Sequence, residues 1–319
     1  MATAPVVVIG AGIAGLVAAR ELSPRHTVVV LDKGRGVGGR LATRRNGDAS
    51  FDHGAQFVTT RSEWFGSLIA DARSAGIVHE WFRGEVGPSG PSGTGHPRWC
   101  AVGGMSAIAK HLAQGLDVRT SVRVVSVTTD GDGWLVSTED DVRPASAVVL
   151  TAPVPQTLDM LTTGGTVLSA SDAAALSRIA YEPCTAVMAV LRRPLSHLPA
   201  SPGGDIVAWI ADNSAKGTSA AAGAITVHTT AAYSDRTWDL PPDSVTAAVL
   251  DAAGIDPTEV DGVPQVHRWK FARPAVLHTA DHLLLGDVPP AVVAGDAFGG
   301  ASVEGAAVSG RAAALALLR

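Results

Sequence analysis

The spacing Gly10-Ala11-Gly12-Ile13-Ala14-Gly15, with an acid following at Asp32, suits the binding of a pyrophosphate and an adenosine ribose. Gly10 permits a tight turn, Gly12 lets the backbone approach the phosphates, and Gly15 lets a helix pack closely on its strand. The unpaired N–H groups of a helix opening through Ala11, Ile13 and Ala14 would face the anion. Asp32 lies 22 residues after Gly10, close to the ~20 this chemistry needs, and its carboxylate would accept hydrogen bonds from ribose hydroxyls. A glycine-rich turn without a ligand is the plain alternative. The run Lys33-Gly34-Arg35-Gly36-Val37-Gly38-Gly39-Arg40 comes next. Its adjacent glycines, Gly39 among them, suit a backbone lying against the same diphosphate. Lys33, Arg35 and above all Arg40 offer charge-assisted bonds to it. Arg44 and Arg45 read as a solvated cluster.

These residues meet a ligand only if strand, turn and helix follow one another. Pro5 to Ile9 is the continuous β-branched run a buried parallel strand needs. A helix then presents Ile13, Leu16, Val17 and Leu22 on its apolar face. Thr27 to Leu31 predicts a second strand, set beside the first by a right-handed crossover. Further along, the pattern predicts a helix over about Met105 to Leu116 and strands at Val122–Val127, Trp134–Thr138 and Ala147–Leu150. Strands at Val187–Leu191, Ile206–Ile210 and Ile225–Thr229 and a helix at Val245–Ala253 follow. The chain closes with a strand at Ala291–Ala294, then Gly295-Asp296, and a helix from Val303 to Leu318. Residues 84–97, rich in Gly and Pro, read as a flexible surface loop, either a lid or a bland insertion. The pattern implies a nucleotide domain from 1–60, 100–152 and 285–319, with a substrate domain from 61–99 and 153–284.

Composition excludes several classes. The 319 residues suffice for roughly two domains. Net charge is −5 without a basic block, so there is no electrostatic case for nucleic acid. Of the 25 basic residues only Lys33, Lys110, Lys216 and Lys270 are lysine, which reads as compositional bias. Two cysteines, Cys100 and Cys184, lack metal-ligand spacing; a disulfide between them stays open, though such sparse use suits a reducing compartment. The longest apolar run, Val6 to Ala19, is too short for a bilayer and no basic segment precedes it, so a cytoplasmic address is expected. GxSxG, HExxH and CxxC patterns are absent.

An acid followed by glycines and arginine resembles the FAD-binding class that includes amine oxidases, protoporphyrinogen oxidases and carotenoid desaturases. Within it, DKGRGVGGRLATRR followed by FDHGAQFVTTR is most similar to renalase and its bacterial relatives. Arg35 stands three residues after the acid, as in renalase-like sequences, where amine oxidases have two. Further similar blocks are Gly103–Val118, Tyr181–Cys184, Ile225–Thr230, His267–Ala275 and Val292–Ala314. Departures are Asp32 for a commoner glutamate, Gly103 for proline, Ser302 for arginine, and the 84–97 stretch, which has no counterpart.

The resemblance implies an α/β fold: an FAD-binding Rossmann-like domain of the glutathione reductase/p-hydroxybenzoate hydroxylase type, with an inserted mixed α+β substrate domain. It places Gly295 near the phosphates and Asp296 on the ribityl chain. The helix opening at Val303, Glu304 and Ala306 would direct its positive end at the flavin C2 carbonyl, stabilising the charge that reduction places there. A nicotinamide enzyme has no need of this second element, which favours FAD. Val124 matches the adenine-facing strand position, and Gln56 and Phe57 the neighbourhood of the isoalloxazine. Residues 292–319 contain no cysteine or histidine, so FAD is expected to be non-covalent. Tyr181, His228, His267 and Trp269 are the substrate-pocket candidates, each equally readable as a core residue.

The activity implied is oxidation of dihydro isomers of NAD(P)H, reduced at the 2 or 6 position, to NAD(P)+. A hydride would pass to flavin N5 and dioxygen would become hydrogen peroxide, with only small molecules as partners. Two rivals stand beside it. One is a flavin amine oxidase or desaturase, for which Lys270 would be the lysine near the flavin. The other is a flavin-free binding protein of the same fold.

Overall fold

Short, wholly apolar segments dominate the centre of the first sheet, as strands covered on both faces require. The computed structural model describes residues 4–195, 198–286 and 288–319. They divide into two compact units, one formed by residues up to Gly39, Ala109–Tyr181 and Arg273–Arg319, the other by Arg40–Ile108 and Glu182–Ala272.

In the first unit, a six-stranded sheet runs in the order Leu283–Leu284, Ala291–Val293, Ala147–Leu150, Val6–Ile9, Val28–Leu31, Asp117–Arg119. All neighbours are parallel except the Leu283–Leu284 edge. The helix Ile13–Leu22 returns the chain from the first strand to its neighbour and packs along the last helix, Val303–Leu317. Small residues make that approach possible: a Cβ on Gly310 would collide with the Ala14 carbonyl. An antiparallel layer, Val124–Asp130, Gly133–Thr138 and Val142–Ala145, adds Val127, Trp134 and Val136 to the core beneath the sheet.

The second unit is built on a sheet ordered Val207–Asp212, Ala224–Thr229, Tyr181–Leu191, Val260–Pro274. Alternation gives it two faces. Val187, Ala189, Ile225 and Val227 pack with Val245, Val249 and Leu250 of the helix Pro242–Ala252. Met188 and Ala224 meet Ala49 and Phe51 of the hairpin Thr43–Asn46/Ala49–Asp52. That hairpin is why 40–60 groups with this unit, instead of with the nucleotide-binding segments as the sequence pattern suggested. Conversely, the helix Val154–Thr163 packs on the Val124–Asp130 strand, so 153–181 groups with the first unit.

Most expected elements occur within a few residues of their anticipated ends. The exception is 84–97, where a two-residue hairpin pairs Val86 with Pro91 and Gly87 with Gly90. Arg98, nearly buried, donates Nε to the Gly84 carbonyl at 3.1 Å and pairs with Glu85 at 2.6 Å. Turn glycines and this arginine supply an order that apolar periodicity does not register. Both cysteines are free thiols. Among the described residues no helix is long and apolar enough to cross a membrane, and no His, Cys, Asp and Glu group could hold a metal.

Gly310→Ala is expected to cost about 1–3 kcal/mol through overpacking at the helix crossing. Gly66→Ala, at a helical position where a Cβ meets nothing within 4 Å, should stabilise by about 0.5–1 kcal/mol. Denaturant midpoints of the two variants check the contrast.

Candidate functional site

The glycine turn of the first unit lies under direct steric control. Gly10 has φ +111°, and a Cβ there would come within 2.5 Å of Thr151 Oγ1, while one on Gly15 would strike the Gly10 carbonyl. Gly12 differs: a Cβ would meet nothing within 4 Å. It is also the N-cap of the Ile13–Leu22 helix, and no side chain caps the helix start. Open space thus faces the first-turn amides of Ile13, Ala14 and Gly15 and the positive end of the helix dipole.

The second glycine run lies directly against this turn. Gly38 donates to the Ala11 carbonyl at 2.8 Å, and Gly39, with φ +54°, lies so close that its Cβ would sit 3.6 Å from Gly12 Cα. Asp32 ties the arrangement together, accepting from the Ala11 amide through Oδ2 and the Gly34 amide through Oδ1, each at 2.6 Å. Each oxygen keeps a further lone pair for a ribose hydroxyl. The Ser121 and Val122 amides bond the Gly34 and Asp32 carbonyls, placing the segment leading to Val124 beside the same acid. Lys33 instead reaches Gln156 at 2.9 Å, and burial, then Arg123, lowers its pKa despite Asp32. Arg35 is exposed. Arg40 belongs to the second unit, where it donates to the Phe271 and Ala272 carbonyls at 3.2 and 3.3 Å.

At the C-terminal element, Gly295 has φ +141° and donates to Ser309 Oγ at 2.8 Å. Asp296, nearly buried, begins a short helix. The last helix opens at Val303 and carries Glu304 and Ala306 into burial. Ser302, which departs from the arginine common in similar sequences, is its N-cap and accepts from the Gly305 amide at 2.9 Å. An open glycine cradle, an uncapped helix start and an acid at the next strand end fit the adenosine diphosphate half of FAD. Thr151 and Ser309 support the cradle, yet no motif marks them in the sequence.

The second unit contains a fully buried charge network. Asp52 accepts from Lys216 at 2.7 Å, Thr218 at 2.9 Å, Thr43 at 2.6 Å and the Met105 amide at 2.8 Å. Asp52 and Lys216 are both 0% exposed. Lys216 also donates to Gln56 Oε1 at 3.2 Å, and Gln56 Nε2 returns to the Asp52 and Gly54 carbonyls. The buried lysine is therefore Lys216; Lys270, the expected candidate, is exposed, with its ammonium 5.6 Å from the Phe271 ring centre. Phe57 joins Phe82 and Trp209 at centroid distances of 5.8 and 5.7 Å.

Three of the four substrate candidates come together around His53. Trp269 Nε1 donates to the His53 carbonyl at 2.7 Å, and His228 Nε2 donates to it at 3.2 Å. The His53 ring stacks on Trp269 at 5.3 Å, and His267 stands edge-on to both, at 4.7 and 4.2 Å. Arg44, far from a purely solvated role, is half-buried and donates to His267 Nδ1 at 3.5 Å. A guanidinium only donates, so the neutral His267 carries its proton on Nε2. Burial above all depresses His53, His228 and His267 to about 4; His267 and Arg44 add to it at His53, and Arg44 at His267. At neutral pH the group is uncharged imidazole. Tyr181 lies in the first unit, its phenol oxygen accepting from the Val154 amide at 3.4 Å. His53 lay within the FDHGAQ block without being singled out, because a lone histidine gives no signal until its neighbours are known.

A family described as flavin containing amine oxidoreductase matches residues 87–318, and one described as an NAD(P)-binding Rossmann-like domain matches 8–71. Among solved structures, wild-type putrescine oxidase bound to putrescine is similar at TM-score 0.75 and 17% identity, over 99% of each chain. A putative protoporphyrinogen oxidase from Exiguobacterium sp. 255-15 is similar at TM-score 0.76 and 12% identity, also over 99% of each. At such identities these likenesses establish the fold.

Asp32→Ala is expected to reduce flavin retention by at least tenfold, since it removes both the ribose acceptor and the tie between the two turns; flavin absorbance after dialysis measures it. The histidines give a signed pH prediction. Their folded pKa lies below the unfolded one, so stability is complete above about 6.5 and lost as pH falls toward about 4. Denaturant midpoints should drop between about pH 7 and pH 5, and His228→Gln should flatten the drop.

Proposed function

The chain belongs to the flavin-containing amine oxidoreductase family and its cofactor is FAD, and on that premise we propose that it oxidises 2- or 6-dihydro isomers of NAD(P)H to NAD(P)+. The FAD held by the first unit would supply the hydride-accepting N5, and dioxygen with one solvent proton would take the electron pair as hydrogen peroxide.

The observation supporting this substrate is the group formed by His53, His228, His267 and Trp269. It is flat-sided, largely desolvated and uncharged, with pKa values of its histidines near 4. Oxidising a dihydropyridine breaks one C–H bond, both electrons leave with the hydride, and the ring becomes a pyridinium. No proton is removed, so no base is required. The protein's task is to hold the ring flat, exclude water and fix its orientation. Trp269, only partly buried and backed by the His53 ring, supplies a face for stacking, and the neutral imidazoles add hydrogen bonding without competing for the proton. In the first unit, Gly10 to Gly15, Asp32 and the Val303 helix start hold the cofactor. Burial pushes Cys100 and Cys184 up to about 12, leaving neither thiol ionised for covalent attachment, in keeping with non-covalent FAD.

Family membership favours a second reading, oxidation of a free amine. An ammonium group would need a carboxylate or a base to receive it, and the described members of the histidine–tryptophan group supply neither. Anaerobic mixing of the purified flavoprotein with each isomer and with aliphatic amines separates the readings. Bleaching of the flavin band by a dihydro isomer within seconds is the expected result. Bleaching by an amine alone overturns the proposal.

A further inference from the structure

Arg44 is a cation beside an uncharged stacking surface, and nothing in the proposed hydride transfer uses it. It leaves the Thr43–Asn46 strand half-buried, and its hydrogen bond is to His267 Nδ1. Among the described residues no carboxylate pairs with it. Its charge is felt by the group, since Arg44 contributes to keeping both His53 and His267 unprotonated. The nearby buried cation, Lys216, is cancelled by Asp52 at 2.7 Å. Asp52 has four donors on its two oxygens and no capacity left for Arg44. Among the described residues of the unit, nothing therefore compensates the positive charge at this place.

A second feature points the same way. His53 is 5% exposed and its Nδ1 makes no hydrogen bond among the described residues. A buried polar atom without a partner is costly, and a ligand group that supplies the bond removes the cost. The partly exposed Trp269, an unsatisfied imidazole nitrogen and an unneutralised guanidinium belong to one group, and their chemistry suits one kind of molecule.

Resting on the dihydronicotinamide reading, we propose that Arg44 is a specificity residue for the phosphate of a nicotinamide nucleotide, the ring lying on the His53, His267 and Trp269 group. Guanidinium–phosphate pairing is bidentate and charge-assisted, and so is stronger and more directional than any contact with an uncharged riboside. The same charge repels cationic amines. His267 serves as a positioning residue, its Nδ1 lone pair orienting the guanidinium.

The test uses the holoenzyme and non-reacting oxidised ligands, read by the flavin difference spectrum and by tryptophan fluorescence. Nicotinamide mononucleotide should bind about tenfold or more tighter than nicotinamide riboside. Raising salt from about 50 to about 500 mM should weaken the mononucleotide but not the riboside. Arg44→Gln should abolish the difference, and Arg44→Lys should keep part of it, because charge survives without the fork. Equal affinities in the wild type, no saturable binding of either ligand, or a preference that persists in Arg44→Gln would overturn the inference. Failure of the reading beneath it looks different: the affinity ladder holds while neither dihydro isomer bleaches the flavin. If the isomers bleach it and the ladder is flat, the activity stands and the role of Arg44 falls.

Discussion

Backbone pressed against backbone at the glycine turn is the constraint on which the nucleotide half of this protein depends. A phosphate can lie on helix amides only if no side chain occupies that space and the neighbouring segments come within van der Waals distance of one another. Gly10 faces Thr151, Gly15 faces the Gly10 carbonyl, and Gly39 faces Gly12. Of these four, Gly12 alone faces open space, the position where emptiness would serve a ligand. The last helix repeats the device at Gly310 against Ala14, which lets two helices cross closely behind the cradle. Asp32 then joins the turns through backbone amides, so the acid that would meet the ribose also fixes the geometry around it.

The second unit solves a different problem, that of placing a rigid polar segment next to an apolar sheet. Residues 52–56 are held at each end: the Ala55 amide donates to the Arg40 carbonyl at 2.8 Å, and Asp52 is locked to Lys216, Thr218 and Thr43. A buried ion pair is weak evidence of net stability, because desolvation offsets most of the attraction. Its value here is positional. With Asp52 held by four donors, the adjoining carbonyl of His53 stands where Trp269 and His228 donate to it. The aromatic group is thus oriented by a network that does not itself belong to it.

How much of this was legible depends on whether the signal is local. The first strand, the glycine turn and Asp32 are local, because fixed spacing along one crossover dictates their meeting in space. The strands at Ala147–Leu150 and Ala291–Val293 were legible for the same reason: fully buried strands are written as unbroken apolar runs. The His53 group was not legible in that way. Its members lie on the 49–52 hairpin's exit and on two strands far along the chain, and no periodicity links residues 53, 228, 267 and 269. Lys216 was invisible for a related reason, since a buried lysine looks like a surface lysine until its partner at residue 52 is known. Arg44 shows the converse, a charged residue in a basic run that reads as solvated until His267 is found beside it. The short hairpin within 84–97 was illegible for another reason, since turn glycines and the Arg98 side chain hold it.

Fold and site carry separable information in this molecule. The architecture is shared with proteins at 12–17% identity, so it says little about what is oxidised. On the proposed reading, substrate choice would rest on a few side chains whose charge states the fold does not dictate. Burial holds three histidines neutral, and any carboxylate brought among them would raise their pKa and turn the group into a base. The sequence puts a guanidinium there instead, which pushes the equilibrium the other way and keeps the imidazoles uncharged throughout the neutral range. Under the proposed function such a bias would suit hydride loss from a neutral, electron-rich ring, a step in which the substrate gives up no proton. In that reading the electrostatic bias, and not the shared scaffold, would select among flavin chemistries.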